Sequence, residues 1–174
     1  MVERPDDTAA MMNWSAIDPR TLAGRLVRLP ARALPASMLM SMRRGPARGL
    51  KWISGSPVHG CWLSTHEIEK QAALQRFVRP GMTVYDIGAR ARFYTRVYAF
   101  EPCPKEARYL LEHVRLNQLS NVTVIHTIAA DHDGLVAMST DRGMTQNRIC
   151  DDNESALMVS ALTLDTAGLP PPPI

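Results

Sequence analysis

The sequence predicts an α/β fold with a mainly parallel sheet, because segments typical of strands and helices alternate from Ser64 to Ile125. Two segments rich in β-branched and aromatic residues, Thr83 to Ile87 and Arg96 to Phe100, indicate strands. A helix is expected from Pro104 to Asn117, since proline is favoured at the first helical position. Asn121 to His126 then has the character of a third strand.

A helix is also expected before the first strand. Ser64 can cap its beginning, and Glu67, three residues later, can reach back to the Ser64 amide. An apolar patch follows at helical spacing, formed by Leu74, Phe77 and Val78. Pro80 and Gly81 are expected to end this element in a turn.

The remaining segments are less regular. Leu135 to Met138 is a possible fourth strand, and Leu157 to Leu164 is a fifth. The run from Leu169 to Ile174 favours an extended polyproline conformation. Residues 1–18 are typical of a frayed tail, and prolines between Thr21 and Leu50 allow only short helices there. We therefore expect a basic helical N-terminal extension over 1–50 and a catalytic-type domain over 51–174.

The composition is that of a folded protein, with 45% hydrophobic and 21% charged residues. The three cysteines, Cys61, Cys103 and Cys150, have no metal-binding CxxC spacing, and their odd number argues against a disulfide framework. No stretch approaches the roughly 20 apolar residues that span a bilayer. A reducing, cytoplasmic location is expected.

The positive charge is concentrated near the N-terminus. No Asp or Glu lies between Asp18 and Glu67. The same interval holds eight basic residues: Arg20, Arg25, Arg28, Arg32, Arg43, Arg44, Arg48 and Lys51. This pattern is typical of a solvated helical extension, but residues 20–51 could also contact a membrane surface or an anionic partner. No nucleic-acid partner is expected.

A ligand site is predicted where the first two strands end. Open α/β sheets bind ligands at the carboxyl ends of their strands, and Asp86-Ile87-Gly88 ends the first strand. Glu101 ends the second strand, where its carboxylate could accept hydrogen bonds from both hydroxyls of a ribose. Taken alone, Asp86 and Gly88 fit a plain strand-to-turn junction equally well.

Several longer stretches occur in a characteristic order. They are His59-Gly60-Cys61-Trp62-Leu63, the run from Arg79 to Ala89, Val97-Tyr98-Ala99-Phe100-Glu101-Pro102, Asn117-Gln118-Leu119 with Asn121-Val122, and Thr163-Leu164-Asp165. This ordered set resembles the FkbM-type methyltransferases, which are S-adenosylmethionine-dependent O-methyltransferases. The resemblance extends from about residue 50 to the end of the sequence. It implies a Rossmann-like class I methyltransferase sheet.

The resemblance also implies the chemistry and the site. A hydroxyl of a small molecule, such as a polyketide or sugar unit, would take the methyl group of S-adenosylmethionine. Asp86, Gly88 and Ala89 would line the methionine end of the cofactor, and Glu101 would hold the ribose. Ala130 and Asp131 would lie near the adenine. The resemblance assigns no catalytic base and no metal.

The sequence departs from the family pattern after Gly88. The family has Gly-Ala-Asn-x-Gly, whereas here Arg90 and Arg92 replace the asparagine and the second glycine. Residues 89–95 are too few for the crossover helix that normally joins parallel strands, which takes about a dozen residues. The Asp-x-Glu-Gly element expected after Pro173 is absent as well. We therefore expect a weak or inactive methyltransferase, with a non-catalytic fragment or a basic membrane- or anion-binding module as alternatives.

Histidines offer a further candidate site. His126 and His132 lie close to Asp131 and Asp133, and such side chains can bind a metal or act as a base. Their spacing matches no metal motif, so a structural role is favoured. His59 and His66 are weaker candidates for a base.

Overall fold

A computed structural model gives the fold and describes residues 17–18, 21–26, 33–43, 47–56, 68–88, 96–139, 148–150 and 156–170. The chain divides into two compact units, Met1–Phe77 and Val78–Ile174. Within the described ranges, no helix is long and apolar enough to cross a membrane.

A β-hairpin is the main feature of the N-terminal unit. Strands β1 (Leu39–Ser41) and β2 (Lys51–Ile53) pair in antiparallel fashion. A helical segment over 22–26 precedes them, and helix α1 (Ile68–Phe77) follows. The hairpin crosses residue 50, where the sequence suggested a boundary between domains.

The hairpin corrects the expectation of only short helices before Leu50. Its turn is closed by hydrogen bonds between Met42 and Leu50 and between Gly49 and Met42, each 2.8 Å long. Gly49 has a φ of 92°, which glycine adopts without the steric penalty of a side chain. Prolines limit helices in this interval, but they also bound extended segments. Residues 39–41 and 51–53 therefore form paired strands where short helices were expected.

Helix α1 lies where the sequence predicts a helix, but the predicted apolar patch is only partly buried. The capping residues Ser64 and Glu67 lie outside the described residues. Leu74 and Val78 are half-buried, but Phe77 is exposed and its ring lies 5.7 Å below the guanidinium of Arg76. The expected turn follows, with Gly81 at a φ of 89°.

A three-stranded parallel sheet organises the first part of the C-terminal unit. Its order is β3-β4-β5, formed by Thr83–Ile87, Arg96–Phe100 and Val122–Ile125. Helix α2 (Pro104–Leu116) connects β4 to β5. The predicted strands and helix are confirmed here to within one residue at each end, as is the mixed α/β class with a parallel sheet.

Both faces of the central strand β4 are covered. On the α2 side, Val97, Ala99, Leu110 and Val122 form a buried apolar cluster. Phe100 points to the opposite face, and both Ala99 and Phe100 are 0% exposed. On that second face the ring of Tyr85 packs edge-on against Tyr98 and Phe100, and its hydroxyl donates a hydrogen bond to the carbonyl of Pro170.

A second sheet follows with the order β6-β9-β7-β8. Its strands are Ile128–Ala129, Gly134–Ser139, Arg148–Ile149 and Leu157–Leu162 in chain order. β6 pairs with β9 in parallel, and the other two pairings are antiparallel. The fourth and fifth predicted strands are present as β7 and β9, whereas β6 and β8 were not predicted.

Strand β9 ends at Leu162 rather than at Leu164. The chain turns there because the Thr163 hydroxyl accepts a hydrogen bond of 3.1 Å from the amide of Thr166. Thr163-Leu164-Asp165 therefore belongs to a turn that follows the strand. Of the predicted polyproline run, residues 171–174 lie outside the described part.

The beginning of α2 also contributes to the second sheet's core. Cys103 lies in one buried apolar cluster with Val136, Met138, Val159 and Ala161. Thr127, between the two sheets, donates a hydrogen bond of 2.6 Å from its hydroxyl to the carbonyl of Ser160. The segment that follows β4 is thereby fixed relative to the second sheet.

Candidate functional site at the carboxyl edge of the parallel sheet

Gly88 and Glu101 lie beside each other where β3 and β4 end. The parallel register pairs Ile87 with Phe100, and the amide of Gly88 donates a hydrogen bond of 2.9 Å to the Phe100 carbonyl. Glu101 directly follows Phe100, so the structure brings these two predicted site residues together. The juxtaposition follows from parallel pairing, which places all carboxyl strand ends at one edge.

Gly88 has a backbone conformation suited to a ligand-facing turn. Its φ is 76°, in the region that side-chain-bearing residues rarely adopt. A Cβ built on Gly88 would meet no atom of the described residues within 4 Å. The glycine is therefore required by its backbone angle, with no described neighbour crowding it.

Asp86 lies at the same edge of the sheet, and its side chain belongs to the face that α2 covers. Its register partner is Ala99, one of the residues of the cluster on the α2 side. Asp86 is half-buried and interacts with other groups of the chain. Its carboxylate thus belongs to the α2 side of the edge, two residues before the Gly88 turn.

The carboxylate of Glu101 is held by the turn that begins α2. Glu101 Oε1 accepts a hydrogen bond of 2.8 Å from the amide of Cys103, the residue that caps the helix. The Glu101 amide in turn donates to the Ile125 carbonyl over 3.1 Å. Glu101 is therefore fixed at both its backbone and its side chain.

His126 supports the same turn. Its Nε2 lies 3.2 Å from the carbonyl oxygen of Pro102. A carbonyl only accepts hydrogen bonds, so Nε2 is the donor and carries the hydrogen. Within the described residues, no group of three or more His, Cys, Asp or Glu side chains is arranged to hold a metal ion. The contact ties the His126 ring to the turn that begins α2.

Ala130 and Asp131 have different surroundings. The amide of Ala130 donates to the Leu162 carbonyl over 3.1 Å, and Ala130 packs against the apolar cluster that contains Cys103. Asp131 is 96% exposed, and its carboxylate lies 2.8 Å from Nδ1 of His132. That hydrogen bond lowers the pKa of Asp131. Of these two residues, only Ala130 packs against the cluster that contains Cys103, which lies in the turn after Glu101.

The predicted site residue Ala89 lies outside the described residues. So do the two arginines, Arg90 and Arg92, and the short crossover formed by residues 89–95. Of the residues assigned to the methionine end, the structure therefore describes Asp86 and Gly88 but not Ala89.

Two further polar residues have local partners or surroundings that the sequence did not reveal: Asp133, which the sequence offered only as a neighbour of His132, and His113, which it did not single out. Asp133 accepts hydrogen bonds from the Thr163 amide at 2.7 Å and from the Thr166 hydroxyl at 2.8 Å, and these bonds lower its pKa. His113 is buried in α2, and burial lowers its pKa to about 4 although Glu112 opposes the shift. Both have structural roles. The sequence Asp133-Gly134 was a local signal for a turn at Asp133.

A groove runs along the outer side of α2. It has a volume of about 290 Å³ and includes Ala107, Leu111, Arg115 and His126 in its lining. Its walls come from positions three to four residues apart on the helix, with His126 from the end of β5. The groove is an exposed helix surface, separate from the Gly88 turn.

No protein-family model, curated protein or solved structure matches the chain. The site is therefore interpreted from its own geometry. A carboxylate and a left-handed glycine at neighbouring parallel strand ends can bind a ligand with vicinal hydroxyls, since the carboxylate accepts from both.

Proposed function

We propose that the C-terminal unit is a Rossmann-like methyltransferase domain of FkbM type that binds the nucleoside part of S-adenosylmethionine. Transfer of the methyl group to a hydroxyl of a small molecule would be weak or absent in this chain. The proposal depends above all on one observation. Gly88 and Glu101 lie side by side where two neighbouring parallel strands end.

The residues at this edge fit a ribose. The carboxylate of Glu101 accepts hydrogen bonds through two oxygens, and Oε1 accepts from the Cys103 amide. No atom of the described residues lies within 4 Å of a Cβ built on Gly88, which favours close approach of a ligand to the backbone. Ala130, which packs with Cys103 in one apolar cluster, would contribute an apolar contact for the adenine.

When bound, S-adenosylmethionine would supply a methyl group on a positively charged sulfur. By the family resemblance, Asp86 and Ala89 would lie at that end of the cofactor, and Asp131 near its adenine. Arg90 and Arg92 add positive charge beside the sulfonium, which disfavours binding there. This charge is the reason that we propose reduced activity. The proposed compartment is the cytoplasm, where thiols such as those of Cys103 and Cys150 stay reduced.

Calorimetric titration with S-adenosylmethionine tests the proposal. We expect a dissociation constant below about 100 μM, equivalent to roughly 5.5 kcal/mol of binding free energy. Glu101→Gln removes the charge but keeps an acceptor for the Cys103 amide, and it should weaken binding at least about tenfold. Glu112→Gln, on the exposed side of α2, is the matched control and should bind as the unaltered chain does.

Two results would contradict the proposal. No heat of binding at high cofactor concentration would favour the alternative of a non-catalytic fragment. Equal affinity of the Glu101→Gln variant would show that the cofactor, if bound, is held elsewhere. Repeating the titration with adenosine separates the two ends of the site, because adenosine lacks the sulfonium that Arg90 and Arg92 would repel.

A further inference from the structure

We propose that the N-terminal unit binds the surface of an anionic lipid bilayer through one face of its hairpin. The basic hairpin face consists of Leu39 and Lys51 on the strands, together with Arg43 and Arg48, which are exposed in the connection between the strands. It belongs to the N-terminal unit alone, so this proposal does not depend on cofactor binding.

The hairpin separates its side chains into two faces. The register pairs Leu39 with Ile53 and Ser41 with Lys51, which places these four side chains on one face. Met40 and Trp52 pair on the opposite face, where Trp52 is buried. The exposed face is therefore the one that carries Leu39 and Lys51.

Large apolar side chains are exposed beside the cations. Leu39 is 52% exposed and Met38, the preceding residue, is exposed as well. The helical segment over 22–26 repeats the pattern, since Leu22 is 75% exposed, Leu26 is exposed and Arg25 lies between them. Aliphatic side chains adjoining basic ones are typical of surfaces that insert shallowly among lipid headgroups.

The charge of this unit selects an anionic surface. Arg43, Arg48 and Lys51 are all exposed. The sequence has no Asp or Glu from residue 19 to residue 66 to neutralise them. Basic residues near a membrane surface each strengthen binding to acidic lipids about fivefold.

The apolar residues favour a bilayer over a nucleic acid. Single-stranded nucleic acids bind to grooves where aromatic rings stack on the bases. The aromatic residue of this hairpin, Trp52, is buried and lies on the face opposite Lys51. Exposed leucines gain little from a phosphate backbone, whereas they gain from contact with acyl chains.

Co-sedimentation of the full chain with vesicles tests this proposal. We expect binding to vesicles of phosphatidylcholine with phosphatidylserine, weaker binding as salt is raised, and none to phosphatidylcholine alone. Reversing two charges, with Arg43→Glu and Lys51→Glu together, should lower the affinity more than about tenfold. Leu39→Ser should lower it severalfold, because an inserted side chain is lost.

Matched controls come from the other unit. Arg108→Glu reverses an exposed charge, and Leu135→Ser removes an exposed leucine, and both variants should sediment as the unaltered chain does. Circular dichroism verifies the folding of every variant. The proposal is overturned if acidic vesicles do not bind the chain at low salt, or if the doubly charge-reversed variant binds equally well. Tighter binding to single-stranded RNA, with Leu39→Ser unchanged on vesicles, would overturn it in favour of a nucleic acid.

Discussion

The side-chain carboxylate of Glu101 accepts a hydrogen bond from the amide of Cys103, at 2.8 Å, just before helix α2 begins. Cys103 caps the helix without a side-chain hydrogen bond of its own. Glu101 thus satisfies one of the amides that the beginning of a helix leaves without an intrahelical partner. The residue assigned to the ribose therefore also has a local structural role.

Glu101→Ala should lower the free energy of unfolding by about 1 kcal/mol, as the loss of a cap acceptor does. Glu101→Gln should cost less, because its amide oxygen can still accept from Cys103. Urea denaturation of both variants measures the difference. Equal losses would mean that the hydrogen bond contributes little and that charge alone matters at this position.

Gly88→Ala should destabilise the chain by about 1–2 kcal/mol through its backbone alone. The residue has a φ of 76°, and among the described residues an added Cβ would meet no atom within 4 Å. Gly88→Asn should be milder, since asparagine tolerates this conformation better. Thermal unfolding compares the two variants. A greater loss for asparagine than for alanine would point to crowding instead of backbone strain.

Leu110 and Leu111 are neighbours in α2 with opposite environments. Leu110 is 4% exposed within the cluster around β4, whereas Leu111 is 52% exposed. Leu110→Ala should cost about 2–5 kcal/mol, because it leaves a cavity in the core. Leu111→Ala should change stability by less than about 0.5 kcal/mol. Urea denaturation midpoints measure the two changes in stability. Similar losses of stability at both positions would contradict the orientation of the helix.

Stability should depend on pH through His113. Burial lowers its pKa from 6.5 in the unfolded chain to about 4 in the folded one. Between these values the unfolded state binds more protons, so stability rises with pH up to about 6.5 and falls as the pH drops towards 4. His113→Gln should flatten this slope in unfolding measurements. An unchanged slope would mean that another group titrates in that window.

Asp133 should matter more for stability than Asp131. Asp133 accepts from the Thr163 amide and the Thr166 hydroxyl, which joins the beginning of β7 to the turn after β9. The side chain of Asp131 is 96% exposed and lies 2.8 Å from Nδ1 of the adjacent His132. Thermal unfolding should show a lower midpoint for Asp133→Ala than for Asp131→Ala. Because the pKa of Asp133 is lowered from its ordinary value of 3.8, its contribution to stability is fully present at pH values above 3.8. The contribution is lost as the pH falls further.

Local signals predicted the elements of the parallel sheet. Pro104 marks the beginning of α2 because proline suits the first helical position, and the helix does begin there. The β-branched and aromatic segments that became β3 and β4 are short and are bounded by Gly88 and Pro102. Their parallel pairing was expected from the alternation of elements, and it is what places Gly88 beside Glu101.

Other features depend on partners that are distant in sequence. Strand β6 has two residues, Ile128 and Ala129, and exists because it pairs with residues 161–162 of β9. No periodicity can be seen in so short a segment. The hairpin of the N-terminal unit was missed because its prolines were interpreted only as limits on helices. Likewise, the hydrogen bond from the Cys103 amide to Glu101 was not predicted, because the turn chemistry of Glu101-Pro102-Cys103 was not considered.

Strand β4 has neighbours on every side. It is hydrogen bonded to β3 and β5 at its two edges, and Ala99 and Phe100 are both 0% exposed on its two faces. Water can reach its amides only when a neighbouring strand or α2 has separated from it. In native-state hydrogen exchange the amides from Val97 to Phe100 should therefore exchange among the slowest of the C-terminal unit, by global rather than local opening.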